Sequence, residues 1–338
     1  MSNDYWRKRE IQKLKGQLKD VNKLETLMQK EYKKAMEEIN SNIAKLFMKY
    51  SKDNKLLFAE ANKLLTGNKY TEWRMDLSEY IELIEKTADE ELLLELNTLS
   101  MKSRISRLEE TFYLIDKRLN TLYQEKYTGT KALLEVTMRD SYYQNIFNIQ
   151  KYLGIGKPFA NISESAIDEV LSYPWCGANY SIRIWNNRRK LKQVIREEIT
   201  QMIIQGKGLN EVAKIVSERM DVDYKNAMRL INTEHAYIIG EASARSYEET
   251  GVEKYEILAT LDIRTSKKCR DEDGEIYSLE ERKVGLNYPP FHPNCRTTTI
   301  PYFEDVEYEL RTARNLDGKT YEVPAYMEYS EWYNKYVK

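Results

Sequence analysis

Apolar side chains recur every three or four positions along the first fifty residues: Ile11, Leu14, Leu18, Val21, Leu24, Met28, Tyr32, Met36, Ile39, Ile43, Leu46 and Tyr50. That step places them on one stripe of an α-helix, which must be buried against another helix. No proline interrupts the run, and Gly16 is its one weak point. A helix of about 45 residues would extend roughly 65–70 Å. Such length is unusual in a compact enzyme and common in assembly contacts. The stripe suits either a helical-bundle arm packed on its own chain or an intermolecular coiled coil.

Asp53-Asn54 and Thr66-Gly67-Asn68 break the pattern. A second stripe (Ile105, Leu108, Phe112, Ile115, Leu119, Leu122) predicts a helix over about 87–126, antiparallel to the first and ended by Gly129. Another helix is expected over 131–153, and Gly154, Gly156 and Pro158 mark a hinge. Beyond it Ser163 can cap a short helix through Leu171, and Tyr173-Pro174-Trp175-Cys176-Gly177 reads as a turn. A helix from Tyr180 to Gln205 is closed by Gly206 and Gly208, and short helices continue to Thr250. After Gly251 the period changes, and Tyr255–Leu261, Glu275–Ser278 and Thr297–Pro301 read as strands. The last 35 residues mix strand and turn signals. The expected fold is α+β and predominantly α. Its parts are a long-helix N-terminal region over 1–156, a smaller α+β domain with short strands over 157–303, and a tail over 304–338.

Composition narrows the partners. The 338 residues carry 53 Lys and Arg against 54 Asp and Glu, a net charge of −1, so the whole chain gives no electrostatic argument for nucleic acid. Residues 1–55 hold 14 basic and 8 acidic side chains, and residues 302–331 hold 3 and 8, so the start is mildly basic and the tail mildly acidic. No run of about 18 apolar residues exists, so no membrane span is expected, and no apolar stretch follows the polar start as a secretory signal would require. A cytosolic, reducing setting follows. The three cysteines, Cys176, Cys269 and Cys295, are then expected as thiols or metal ligands rather than a disulfide frame.

Rare residues concentrate in one segment. Asp262, Arg264-Thr265 and Cys269 are followed by Asp273-Gly274, read as a hairpin turn, and then by Pro289-Pro290-Phe291-His292-Pro293-Asn294-Cys295-Arg296. The prolines fix φ along an extended loop, which carries one of only two histidines. Upstream, Glu234 shares an apolar helix face with Ala227, Ile231, Ile238 and Ala242. A carboxylate there needs a partner, and Arg264 is the natural candidate for a two-bond grip. Cys269, His292 and Cys295 make three candidate metal ligands, whereas structural zinc takes four. Asp262 or Asp273 is the candidate fourth. The alternative is a pair of buried thiols beside a histidine that ties the loop by hydrogen bonds. Arg183, Arg188, Arg189, Lys190, Lys192 and Arg196 form a basic run around Trp185. It fits DNA backbone contact and equally a solvated helix face. No phosphate loop, His-Glu-x-x-His or nucleophile elbow occurs.

In order and spacing, Arg229, Thr233-Glu234, Asp262, Arg264-Thr265, Asp273-Gly274 and the run from Pro289 to Arg296 resemble the phage Mu F-like family of minor head proteins. The resemblance covers Gly208 to Pro301. Members with Cys-x-x-Cys and Cys-Arg-Cys look metal-binding; this chain has Ser266-Lys267-Lys268-Cys269 and Cys295-Arg296-Thr297 instead, leaving zinc as a candidate cofactor with an incomplete ligand set. The resemblance implies a low-copy structural protein inside the head of a tailed phage, present in the host cytoplasm during assembly. It implies portal, capsid or scaffold partners, proximity to packaged double-stranded DNA, and a role in head assembly and genome packaging or delivery, with no catalytic step and no membrane contact. The rival expectation is an enzyme: a metal-dependent hydrolase on Cys269, His292 and Cys295, or a transferase using Glu234 and Arg264.

Overall fold

The computed structural model describes residues 4–52, 90–154, 158–204, 208–303, 310–314, 320–324 and 335. The expected breaks at Asp53-Asn54 and Thr66–Asn68 lie outside them. Among the described residues five helices lead: α1 (Asp4–Lys52), α2 (Glu90–Leu153), α3 (Glu164–Ser172), α4 (Tyr180–Ile204) and α5 (Leu209–Thr250). Then come β1 (Lys254–Leu258), the short α6 (Lys267–Asp271), β2 (Ile276–Ser278), β3 (Thr298–Tyr302), β4 (Leu310–Arg314) and β5 (Thr320–Pro324). The α+β, predominantly α expectation holds. Among the described residues no helix is long and apolar enough to cross a membrane.

The first helix has the expected length, 49 residues, but its buried face differs at the N-terminal end. Buried positions run 6, 10, 13, 17, 21, 24, 28, 32, 35, 39, 43 and 46, in steps of three and four. From Val21 onward this largely coincides with the apolar stripe. Before Val21 it selects Glu10, Lys13 and Gln17, while Leu18 is exposed. Each of these side chains has a polar partner, as desolvation favours, although Gln17 Oε1 has no hydrogen bond. Lys13 Nζ donates to Asn145 Oδ1 at 3.0 Å and pairs with Glu10 Oε2 at 2.6 Å. Glu10 Oε1 accepts from the Thr298 hydroxyl, and Gln17 Nε2 donates to Ser141 Oγ at 2.5 Å. These contacts run 13 to 145 and 17 to 141, so the segments of α1 and α2 are antiparallel.

Two helices run through expected stops. Gly129 lies inside α2, a single helix of 64 residues, instead of ending one. A β-carbon there would lie 2.6 Å from Leu24 Cδ1, so the glycine permits close helix approach. The segment after Gly208 is one helix of 42 residues rather than several short ones. The Ser163 cap is present, its hydroxyl accepting from Ala166 N at 3.1 Å.

The strand ends fall within one to three residues of expectation, the first strand stopping at Leu258 rather than Leu261. They form an antiparallel sheet of order β2-β1-β3, with Tyr255 opposite Tyr277 and Pro301. Asp273-Gly274 does not join two strands directly: it follows α6 and precedes β2, with Gly274 at φ 82°. The tail carries the separate antiparallel pair β4-β5.

The chain forms two compact units. One comprises Met1–Leu27, Lys126–Ile184 and Lys225–Lys338, the other Met28–Glu125 and Trp185–Tyr224. In the first, the sheet packs on α5 through Tyr247, Tyr255, Ile257, Tyr288 and Ile300, and Trp6 of α1 joins that core. In the second, Asp223 accepts from Tyr123 OH at 2.7 Å and from Tyr32 OH.

Candidate functional site

The proline-framed loop is seated on the middle of α5. Tyr288 OH donates to Gly240 O at 2.7 Å, and a β-carbon on Gly240 would meet Pro289 O and Tyr288 Cε1 at 3.1 Å. Glycine at 240 therefore lets the loop lie against the helix backbone. Pro289-Pro290 is a cis peptide. Asn294 adopts φ 59°, which asparagine tolerates, and its N–H donates to Thr233 Oγ1 at 3.0 Å. Thr233 in turn donates to Arg229 O at 2.6 Å. Arg229 itself is exposed, its guanidinium donating to Asn226 Oδ1.

Glu234 is buried, as its place in the apolar stripe requires, but its partner is not Arg264. Trp175 Nε1 donates to Oε2 at 3.0 Å, and Arg183 Nη1 lies 3.6 Å from Oε1, which has no hydrogen bond. Trp175 stacks on Tyr237 with centroids 4.7 Å apart, and Arg183 lies 5.4 Å over the Trp175 ring. Burial pushes the Glu234 carboxyl above its ordinary range, against the opposing pull of Trp175 and Arg183. Trp175 stands 59 residues before Glu234. The turn around it was legible in the sequence; its partner was not.

The arginine that grips a carboxylate with two bonds is Arg296. Its Nη2 donates to Asp262 Oδ1 at 2.7 Å and its Nη1 to Oδ2. Asp262 is buried, which alone would raise its pKa, but the bonds and charge of Arg296 hold it below the ordinary carboxylate value. Arg264 is 70% exposed by side chain, with Nε 4.0 Å from Asp262 Oδ2. Its contribution is a backbone N–H bond to Asp262 Oδ1 at 2.9 Å. Asp273 Oδ1 accepts from Ala259 N at 2.9 Å.

Cys269, His292 and Cys295 do come together, with ligand atoms all within 4.8 Å of one another. Cys269 sits on α6, whose N-cap Ser266 accepts from Cys269 N at 3.2 Å. His292 Nε2 lies 2.8 Å from Ser266 Oγ and 3.1 Å from Cys269 Sγ, while Nδ1 lies 2.9 Å from Pro293 O. The two sulfurs are 3.7 Å apart. The Cys269 thiol is pushed up by its bond to Cys295 and by burial, and Cys295 is lowered chiefly by that same bond. The pair thus holds one proton more tightly than the other. Neither Asp262 nor Asp273 belongs to this group; one is taken by Arg296 and the other caps Ala259. The three ligand atoms lie close enough together for one ion to reach them all, one short of the four that structural zinc takes.

The basic run does not remain one cluster. Arg183 is held at the Glu234 site, donating also to Ala178 O and Cys176 O. In the other unit, Arg188 and Lys192 both pair with Asp116, at 2.5 and 2.8 Å, and Arg196 lies over Phe112. Arg189 and Lys190 are exposed. Asp116, more than 70 residues away in sequence, is the neutralising group that the local charge count missed.

Residues 193–300 match the family model of Phage Mu protein F like protein. The chain is 24% identical over 334 residues to Minor head protein GP7 of Bacillus phage SPP1, covering 92% of each protein. It is also 24% identical over 285 residues to an NAD(+)–arginine ADP-ribosyltransferase of Enterococcus faecalis, covering 79% of this chain and 55% of that protein. The chain thus spans about half the length of the Enterococcus relative and nearly all of the phage one. No solved structure matches.

Proposed function

We propose that the chain is a phage Mu F-like protein of the minor head kind, a reading supported by the family match over residues 193–300 and the similarity to the SPP1 protein, and that it enters the procapsid through portal and capsid contacts and acts in head assembly and genome packaging or delivery. It would reside inside the head of the virion, after assembly in the host cytoplasm. The observation that carries this reading is the end-to-end similarity to the SPP1 minor head protein, which takes in the long helices as well as the Mu F-like segment. The motif residues fit a structural role. Thr233 receives Asn294, Arg296 grips Asp262, and Asp273 caps Ala259. Each joins one element to another. A transferase built on Glu234 and Arg264 is not favoured by this geometry, since Trp175 and Arg183 take Glu234 while Arg264 is largely exposed. A zinc ion, where bound, would take Cys269, His292 and Cys295 as ligands and tie α6 to the loop. Packaged DNA would meet Arg189 and Lys190 as a charged surface, without base reading.

Co-expression with the portal protein of the same phage tests the proposal. A joint peak in size exclusion at micromolar concentration and physiological salt is expected. Independent migration of the two proteins sinks it.

A further inference from the structure

Cys269 and Cys295 are 26 positions apart in sequence, yet their sulfurs face each other at 3.7 Å across the junction of α6 and the proline-framed loop. Both side chains are buried, Cys269 at 2% exposure and Cys295 at 5%. Backbone bonds fix both ends: Ser266 Oγ accepts from Cys269 N, and Cys295 N donates to His292 O at 3.1 Å. A disulfide needs its sulfurs about 2.05 Å apart. Closure therefore needs the two sulfurs to approach further from 3.7 Å. The third cysteine, Cys176, is exposed and belongs to the turn before α4.

We propose that Cys269 and Cys295 are a peroxide-oxidisable dithiol, with Cys295 attacking first and Cys269 resolving, and that closure locks the loop carrying His292 onto α6. The Cys295 sulfur gives up its proton and attacks one oxygen of a hydroperoxide, and the O–O bond breaks. The leaving hydroxide or alkoxide takes a proton, and Cys295 becomes a sulfenic acid. The Cys269 sulfur then attacks the Cys295 sulfur. The S–O bond breaks, the S–S bond forms, and hydroxide leaves as water with the Cys269 proton. His292 Nε2, 3.1 Å from Cys269 Sγ, is placed to carry that proton. The peroxide is reduced by two electrons and the two thiols supply them. One feature favours this order: Cys269 Sγ lies beside His292 Nε2, the base that must take its proton when it resolves. The proposal is independent of portal binding, so its failure leaves the head-assembly reading standing.

The test uses the full chain carrying Cys176→Ser, treated with hydrogen peroxide in the presence of a chelator. Thiols are counted after denaturation, and the product is examined by intact mass and non-reducing peptide mapping. The expected result is loss of both thiols, a mass lower by two hydrogens, and one cross-linked peptide joining Cys269 to Cys295. Survival of both thiols, a sulfinic acid on either sulfur, or a covalent dimer overturns the proposal. The order of attack is read from single variants in dimedone. Cys269→Ser should trap a sulfenic acid on Cys295, and Cys295→Ser should trap none on Cys269. The reverse pattern overturns the assignment of Cys295 as the attacking sulfur.

Discussion

Arg264 and Arg296 flank the same carboxylate and differ in burial. Removing Arg296 leaves Asp262 buried without its bidentate partner. Loss of such a partner costs about 3–5 kcal/mol in a dry site, and the partial exposure of Arg296 places the expected loss nearer about 2–3 kcal/mol. Arg264→Ala should change stability by about 0.5 kcal/mol or less, as for exposed positions generally. Thermal melts of the two variants beside the parent check this, and equal losses would refute the assignment. His235 gives a pH-dependent counterpart. It is buried on α5, its Nε2 has no hydrogen bond, and burial lowers its pKa to about 4, opposed by Asp20. The unfolded chain, with its ordinary value near 6.5, then binds the proton that the folded chain refuses. Stability is therefore fully present above about 6.5 and falls as pH drops toward 4. The total is on the order of 3 kcal/mol. His235→Gln should flatten the melting temperature between pH 6.5 and 4, whatever its effect at neutral pH. A slope as steep as the parent's would count against the neutral, buried histidine.

At the scale of elements, Gly129 shows how a local rule yields to packing. Glycine weakens a helix by about 1 kcal/mol relative to alanine, which is why the sequence reads as a stop there. In the fold the missing β-carbon makes room for Leu24. Gly129→Ala should gain that helix propensity and lose about 1–3 kcal/mol to overpacking, for a net destabilisation. In a Leu24→Ala background the clash is absent, and the same change should stabilise. A double-mutant cycle by chemical denaturation reads the sign reversal directly; additive effects would show that the contact is not the reason for the glycine. The N-terminal part of α1 teaches the converse. Its apolar residues Leu14 and Leu18 marked a stripe, but the buried face there carries Glu10, Lys13 and Gln17. Periodicity ranks side chains by polarity alone, and so misses a face whose polar side chains find partners in Thr298, Asn145 and Ser141.

At the scale of the whole molecule the net charge is near zero, so any DNA contact must come from a local surface. The structure divides the basic run: Arg188 and Lys192 are offset by Asp116, whereas Arg189 and Lys190 face solvent. If the chain meets packaged DNA there, binding should be independent of sequence and fall steeply with salt. The double variant Arg189→Ala, Lys190→Ala should lower the slope of log K against log salt by about 2. Gel shifts of duplex DNA across a salt series check this. No shift by the parent protein at low salt would remove DNA from the list of partners.

The sequence by itself determined what depends on neighbours along the chain. Helix period, the Ser163 cap, the three short strands after Gly251, and a loop stiffened by prolines and carrying His292 and Cys295 all follow from steps of two to four residues, because local backbone geometry acts over that range. The order and spacing of the motif residues likewise identified the Mu F-like segment that the family match covers. Only the tertiary structure decided which charges and hydrogen bonds meet. Glu234 took Trp175 and Arg183 rather than Arg264, Asp262 took Arg296, and Arg188 and Lys192 took Asp116. A buried carboxylate announces in sequence that it needs a partner, since desolvation makes an unpaired charge costly. Several arginines satisfy that need equally well on paper. The choice among them falls to distance, and distance between residues 34 to 76 positions apart is set by how helices and loops pack.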